Sequence, residues 1–391
     1  MKVLDRTSKM SIQAKELLQK ASLPDTSSNE SFRKFNFKNF PTNFDRKFKP
    51  VYDFDSLNAN LPKEIRISSF YSLDGKNLDY VNSLLNEYAT LENYFSLTTI
   101  AESESGVFID VASNFQSNER LVLEHPILLE IASYFPLLII RIGENAKIEI
   151  TEKIISQDSE EEGFQFISSL TVVDIGKGSN VEFLTDESHS SSAFHFRNLV
   201  TRSWEDSSLK NIHFYLGGYR GKTIQRNELL GKGANLLGYG ITASSKREFI
   251  DTETEVLHRA DYTESAILHK VVVTDRSHHI FTGNLHIPSN LKKIKSSQVN
   301  HNLSLHSTAR AESVPKLEIF SEDVQSSHGS TVGEIDEEQI FYLKSRGLNE
   351  EDARHILIEG FLSEILDMIG DENEIERIRI LLKNKIWPSK E

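Results

Sequence analysis

With 391 residues, 38% hydrophobic and 26% charged, the chain has an ordinary globular composition. It exceeds the roughly 250–300 residues that one rounded core supports, so it is expected to be multidomain or built by linear stacking. A net charge of −14 argues against nucleic acid or an anionic membrane as partner, and the absence of cysteine excludes disulfides, thiolate metal ligands and a cysteine nucleophile. The opening Met1–Arg6 turns polar at once, unlike a secretory leader, and no window approaches 18 uninterrupted apolar residues. The expectation is a cytoplasmic protein, with Pro136–Ile142, broken by Arg141, as a buried strand.

Residues 1–105 read as a mixed, partly helical region. Ile12, Leu17 and Leu18 predict a short amphipathic helix over Ser11–Ala21. An irregular, basic, Phe-rich stretch follows (Phe32, Phe35, Phe37, Phe40, Phe44, Phe48), to which no role is assigned. Val81, Leu84, Leu85 and Tyr88 predict a second helix over Leu78–Ala89.

Over residues 106–333 the helical period gives way to short apolar–polar alternations bounded by Gly, Asn, Asp or Ser, such as Ala146–Ile150, Phe164–Phe166, Asn180–Phe183 and Ile212–Phe214. A turn-then-strand unit recurs at Ile142–Ile148, Ile175–Val181 and Leu230–Leu237. Gly143 and Gly176 lie 33 positions apart, yet no single period fits every unit. More than 200 residues of strand without helix point to a β-solenoid or a sandwich. A solenoid accounts better for the length, since coils add without enlarging the core.

Residues 334–391 read as a helical domain. Asp336–Ser345 forms a short helix stopped by Gly347. Asn349 caps a helix over Glu350–Ile369 whose apolar face is read as Ala353, Ile356, Leu357, Gly360, Phe361, Ile365 and Met368. After Gly370, Asp371 opens a last helix bearing Ile375, Ile378 and Leu382, with Pro388 past its end.

Several apparent motifs fail on inspection. Gly217–Thr223 has three residues where a P-loop needs four before Gly-Lys-Thr, and no helix start follows; it reads as a solenoid turn. His278 and His279, adjacent on a strand, face opposite ways and cannot share a metal site; with His286, His301 and His306 they read as exposed strand histidines. No Gly-x-Ser-x-Gly is present, and Asp158–Gly163 reads as a solvated loop.

Pro315–Gly333 is different. Leu317 and Ile319 mark a strand, after which His328 stands among Ser326, Ser327, Gly329 and Ser330, where backbone can be approached closely. An imidazole there suits proton transfer or metal ligation, or is a turn histidine bonded to nearby backbone. This segment resembles the P-x-L-E-I-x-x-[DE]-D-V-x-C-S-H-G-A-T-V-G pattern of the SufB/SufD family of iron–sulfur cluster assembly proteins. Asp336–Gly347 resembles the family's D-E-x-x-x-F-Y-L-x-S-R-G, and Arg226–Ala234 its R-x-E-x-x-G-x-G-A turn. His258, Ser265, Phe281 and Gly283 also fall where the family has H, S, F and G. The resemblance covers roughly residues 200–370 well.

The resemblance implies a mainly β protein: a right-handed parallel β-helix flanked by an N-terminal mixed region and a C-terminal helical domain. It implies a non-catalytic scaffold subunit that pairs with a SufB-like homologue and docks a SufC-like ABC ATPase, where the nucleotide chemistry resides. The cluster-assembly interface would comprise His328, Ser326, Gly329, Glu318 and Asp323, with His328 a metal ligand. Phe341, Tyr342, Arg346 and Gly347 would contact the ATPase. No cofactor is expected to be held stably by the chain alone; a transient iron–sulfur cluster would form at the partner interface. Ser326 replaces the family's cysteine and supplies no thiolate, so the site reads as one half. The alternatives are a polysaccharide hydrolase or lyase on a β-helix, for which no carboxylate groove is legible, and a homodimeric scaffold pairing through Leu317–Val324.

Overall fold

From Gly106 onward the chain lays down strands of alternating side chains, each followed by a corner rather than a hairpin. The computed structural model describes residues 12–38, 40, 44–50, 52–90, 93–104 and 106–387. β1 (Ile65–Ser69) lies antiparallel on β2 (Gly106–Val111), which starts one sheet, and β3 (Gln116–Glu124) starts the other. The short β4 (Ser133–Tyr134) pairs off the main path. The first sheet continues in parallel through β5 (Leu137–Ile142), β7 (Gln165–Ile175), β9 (Ala193–Ser203), β11 (Arg220–Leu229), β13 (Phe249–His258), β15 (His278–Ile287) and β17 (Arg310–Ile319). The second runs through β6 (Lys147–Ile155), β8 (Asn180–His189), β10 (Ser208–Gly217), β12 (Asn235–Ser244), β14 (Glu264–Val273), β16 (Ile294–Ser304) and β18 (Val324–Glu334). Because the chain alternates between the sheets, the architecture is the expected parallel β-solenoid, with helices at both ends.

The register explains why no fixed period was visible. One coil back is 33 positions from Leu170 to Leu137, but 26 from Arg220 to Phe194 and 32 from Arg310 to His278. Corners absorb the difference, while the glycine of the recurring unit keeps them stacked. A Cβ on Gly231 would lie 1.9 Å from the Glu205 backbone nitrogen of the coil before, closer than any real contact.

The interior is divided. One corner is apolar, with Ile148, Val181, Leu209, Leu236, Ile175 and Leu229 stacked coil on coil. The other is polar and equally buried, holding Glu152, Glu187, Arg197, His195 and His213. Arg197 bridges the carboxylates, with Nη2 2.5 Å from Glu152 Oε2 and Nε 3.0 Å from Glu187 Oε1. Buried ions persist when paired and hydrogen-bonded in this way.

The histidines correct the reading from sequence. His278 and His279 do face opposite ways, but His279 is fully buried, its Nε2 3.1 Å from Thr252 Oγ1, and His278 and His286 are half-buried. The Gly217–Thr223 segment is only partly a turn: Lys222 is a buried residue of β11, clamped by Asp251 (3.0 Å) and Glu253 (2.8 Å).

At the N-terminal end α1 (residues 12–18), α2 (Phe54–Ala59), α3 (Gly75–Tyr88) and α4 (Tyr94–Glu102) precede the coils. α3 and α4 seat Leu78, Val81, Leu85 and Leu97 against Leu137, Ile139, Leu170 and Val172 of the first sheet. The Phe-rich stretch packs there too: Phe32, Phe35 and Phe40 are buried with Phe95, Phe166, Phe194 and Phe196. The Phe95 and Phe196 rings stack at 3.7 Å. Its irregularity in sequence reflects a strap that follows the sheet rather than a period of its own.

At the C-terminal end α5 (Glu337–Ser345), α6 (Glu350–Leu366) and α7 (Glu372–Ile386) begin at Asp336, Asn349 and Asp371, whose side chains accept from the first free N–H groups. The expected face of α6 is corrected. Ala353 is buried, and Ile358, Leu362, Ile365, Leu366 and Ile369 join Leu184, Ile212, Phe214 and Ile241 of the second sheet, while Ile356 is exposed. Apolar residues lie nearly all round this helix, so spacing alone did not select the buried side. Pro388 lies outside the described residues. No helix among the described residues is long and apolar enough to cross a membrane.

Stability should therefore depend on pH through the interior histidines. Burial, and then the His278 charge, depress the pKa of His279 to about 3; burial, and then His286, depress that of His258 to about 4. Both stay neutral in the fold at pH 5, whereas unfolded histidines protonate below about 6.5. Their contribution is complete above pH 6.5 and is lost as pH falls toward the folded values. Each should cost about 2 kcal/mol between pH 6.5 and 5. Urea titrations at the two pH values check this, and His279→Gln should flatten the dependence.

Candidate functional site at the open end of the solenoid

In β16 the buried positions Ile294, Ser296, Gln298, Asn300 and Asn302 alternate with less buried ones and face the solenoid axis. Their register partners in β18 are Val324, Ser326, His328, Ser330 and Val332. These residues occupy the same inward-facing column, yet β18 is almost wholly exposed, because β17 and β18 end their sheets and no further coil among the described residues covers them. His328 is therefore not a turn histidine: it sits within an eleven-residue strand, on its inward-facing side. Its imidazole has no hydrogen-bond partner among the described residues.

The other expected interface residues are distributed around this end. Ser326 shares His328's column and lies with Ser265 and Ser296 along a shallow groove of about 440 Å³. Gly329 falls on the opposite face of the same strand. Glu318 is on β17, facing away from the axis, 4.0 Å from His286 Nδ1. Asp323 is in the corner between β17 and β18, with its carboxylate 3.7 Å from Lys293. The structure thus joins Ser326 and His328 on one surface, and leaves Glu318 and Asp323 outside it.

Gln298 of the preceding coil, in register with His328, was not singled out from sequence. A Cβ on Gly283 would lie 1.9 Å from its amide nitrogen, so the bare backbone of Gly283 is what admits Gln298. His258 and Ser265 prove to be interior: His258 bonds Thr263 (2.7 Å) and Ser265 (3.1 Å), and Ser265 bonds Ser296 (2.8 Å). Phe281 packs on the His269 ring at 4.7 Å. His258 and Phe281 build the coils beneath the site, whereas Ser265, mostly buried, also lines the groove.

Exposed apolar groups surround the open end and the first C-terminal helix. Phe320 and Val332 are 65% and 60% exposed. On α5, Ile340 is buried while Phe341 and Tyr342 are 75% and 56% exposed. Arg346 covers the Tyr342 ring at 5.4 Å and donates to its hydroxyl at 3.2 Å. Gly347 takes the expected left-handed conformation, φ +99°.

The solenoid thus ends in an exposed coil bearing an imidazole without a hydrogen-bond partner among the described residues, followed by helices with exposed aromatic side chains. Residues 129–361 match the family model described as SUF system FeS cluster assembly, SufBD core domain, and the chain belongs to the SufB/SufD family of iron–sulfur cluster assembly proteins. It is similar to SufD of Escherichia coli K12, 29% identical over 231 residues, which cover 59% of this chain and 54% of that protein. A SufBD family protein of Synechocystis is 26% identical over 322 residues, 79% of this chain and 70% of that protein. SufD of Plasmodium berghei is 28% identical over 253 residues, 64% of this chain and 18% of that protein. The match thus spans little more than half of the Escherichia coli relative.

His328→Ala should leave thermal and urea stability within about 0.5 kcal/mol of the parent, as expected for an exposed side chain without partners. Paired denaturation curves make that comparison.

Proposed function

We propose that the chain is the SufD-like, non-catalytic subunit of a SufBCD-type scaffold. Its open end pairs with a SufB-like subunit, and its C-terminal helices dock a SufC-like ABC ATPase. The observation that carries this reading is the terminal strand β18. An uncovered edge presents unpaired N–H and C=O groups and is normally guarded by charge or proline. β17 has such guards in Arg310, Glu312, Pro315, Lys316 and Glu318, whereas Val324–Gly333 of β18 contains no Asp, Glu, Lys, Arg or Pro. A long strand without guards suits addition of a partner's strand, which would bury Val332 and bring a partner group opposite His328.

With no sulfur at Ser326, His328 contributes one imidazole, and a thiolate from the partner would complete the soft ligand set for a transient cluster. The cluster is then cargo of the assembled interface. The exposed Phe341 and Tyr342 are suited to a packed protein contact, and ATP hydrolysis would belong to the docked partner.

Co-expression with a SufB-like protein and an ATPase of this type should yield a complex on tagged purification. Failure of either partner to co-purify overturns its part of the assignment, and a homodimer as the sole product favours self-pairing. His328→Ala should preserve the complex but lower reconstituted cluster yield by about tenfold or more, the scale of losing support for a metal. Phe341→Ala combined with Tyr342→Ala should release the ATPase while retaining the β-solenoid partner.

A further inference from the structure

The polar corner of the middle coils contains a group of side chains unrelated to the open end. Glu187 and His189 come from the end of β8 and His195 from the start of β9, all facing inward. One donor atom from each lies within 4.8 Å of the others. We propose that Glu187, His189 and His195 form a buried site for one borderline divalent cation, of the Zn²⁺, Fe²⁺ and Co²⁺ class, inside the solenoid.

The donor set is two imidazole nitrogens and one carboxylate, which suits these ions over Mg²⁺ or Ca²⁺. Bonds of about 2.0–2.2 Å place ligand atoms about 3 Å apart or slightly more. Glu187 Oε2 and His195 Nδ1 already stand at 3.1 Å, and the His189 ring lies 3.9 Å from the His195 ring, centroid to centroid. Nε2 of His189 is buried without a hydrogen-bond partner, as are Nε2 of His195 and the nearby Tyr215 hydroxyl. Such orphaned groups carry a desolvation cost that a ligand would remove.

The carboxylate is held by its surroundings. Glu187 Oε1 forms an ion pair with Arg197 Nε (3.0 Å) and lies 3.0 Å from His213 Nε2, and Oε2 accepts from the Thr223 hydroxyl at 3.2 Å. This is the support expected around a ligating carboxylate. Charge favours a cation as well: with neutral imidazoles, Glu152 and Glu187 share the single guanidinium of Arg197. Burial keeps His189 and His195 toward the neutral form that binds metal. Burial opposes ionisation of Glu187, and the Arg197 guanidinium and the His213 hydrogen bond favour its carboxylate form. On the side toward α7, the Lys385 ammonium approaches Gly217, next to the His189 carbonyl, and pairs with Glu248.

The test uses the untagged full chain, stripped with chelator and titrated with Co²⁺. Metal content after desalting and ligand-field absorption are the readouts. One retained equivalent is expected for the parent and for His328→Ala, with binding weakened at least tenfold in His189→Gln and Glu187→Gln. Circular dichroism establishes that those variants fold. Should they not fold, X-ray absorption on Zn²⁺-loaded His328→Ala decides, with two imidazoles expected in the first shell. No retained equivalent in the parent, unchanged binding in folded His189→Gln, loss of binding in His328→Ala, or a first shell without imidazole would each overturn the proposal. None of these results bears on pairing at β18.

Discussion

A stacked coil buries its inward side chains only if another coil follows it. Nearly everything distinctive about this chain follows from where that succession stops. In β16 the inward column is buried by β18; in β18 the corresponding column is not. The same alternation that makes Gln298 an interior residue makes His328 a surface one, although the two are register partners on adjacent strands. The position of the site is thus set by the number of coils, and no local distortion or strained backbone is needed to present the imidazole.

Inside the stack, the same geometry allows a large buried polar tract. Each coil contributes a few inward positions per strand, and equivalent positions of successive coils are neighbours. Polar residues placed at one corner therefore form a continuous column. Arg197 between Glu152 and Glu187 is its hub, and the Glu152 carboxyl shows how tightly it is coupled: burial raises its pKa, yet Arg197 and His125 outweigh that and bring it to about 2. Replacing any one member would strand its partners in a medium where an unpaired charge costs several kcal/mol. The apolar corner alongside, from Ile148 to Leu236, supplies the burial that drives stacking. The interior therefore has separate apolar and polar regions.

This division bears on what was legible in the sequence. Strands such as Asn180–Phe183 were evident from their alternation, but the polar continuation of β8 through Glu187 and His189 was not singled out, since burial by a neighbouring coil leaves no mark on a single strand. His279 was misplaced outside for the same reason. The helix caps Asp336, Asn349 and Asp371 were evident because capping is local chemistry; the buried face of α6 was not, because the second sheet chooses among several apolar stripes. The variable coil length hid the period, while Gly143, Gly176 and Gly231 revealed the corners. Ser326 and His328 were identified through family resemblance, and only the register showed that they share the inward column while Glu318 points away.

An uncapped solenoid must also deal with its own edge. Five charged or proline residues on β17, and none on Val324–Gly333 of β18, make the two terminal strands unequal. Two identical copies meeting through β18 would place like imidazoles near one another, with no sulfur from either. A related subunit carrying a thiolate would instead complete the coordination chemistry while covering the same apolar residues. The lack of cysteine in this chain and the unguarded strand therefore both support the proposed arrangement, in which β18 pairs with a partner that supplies a thiolate opposite His328.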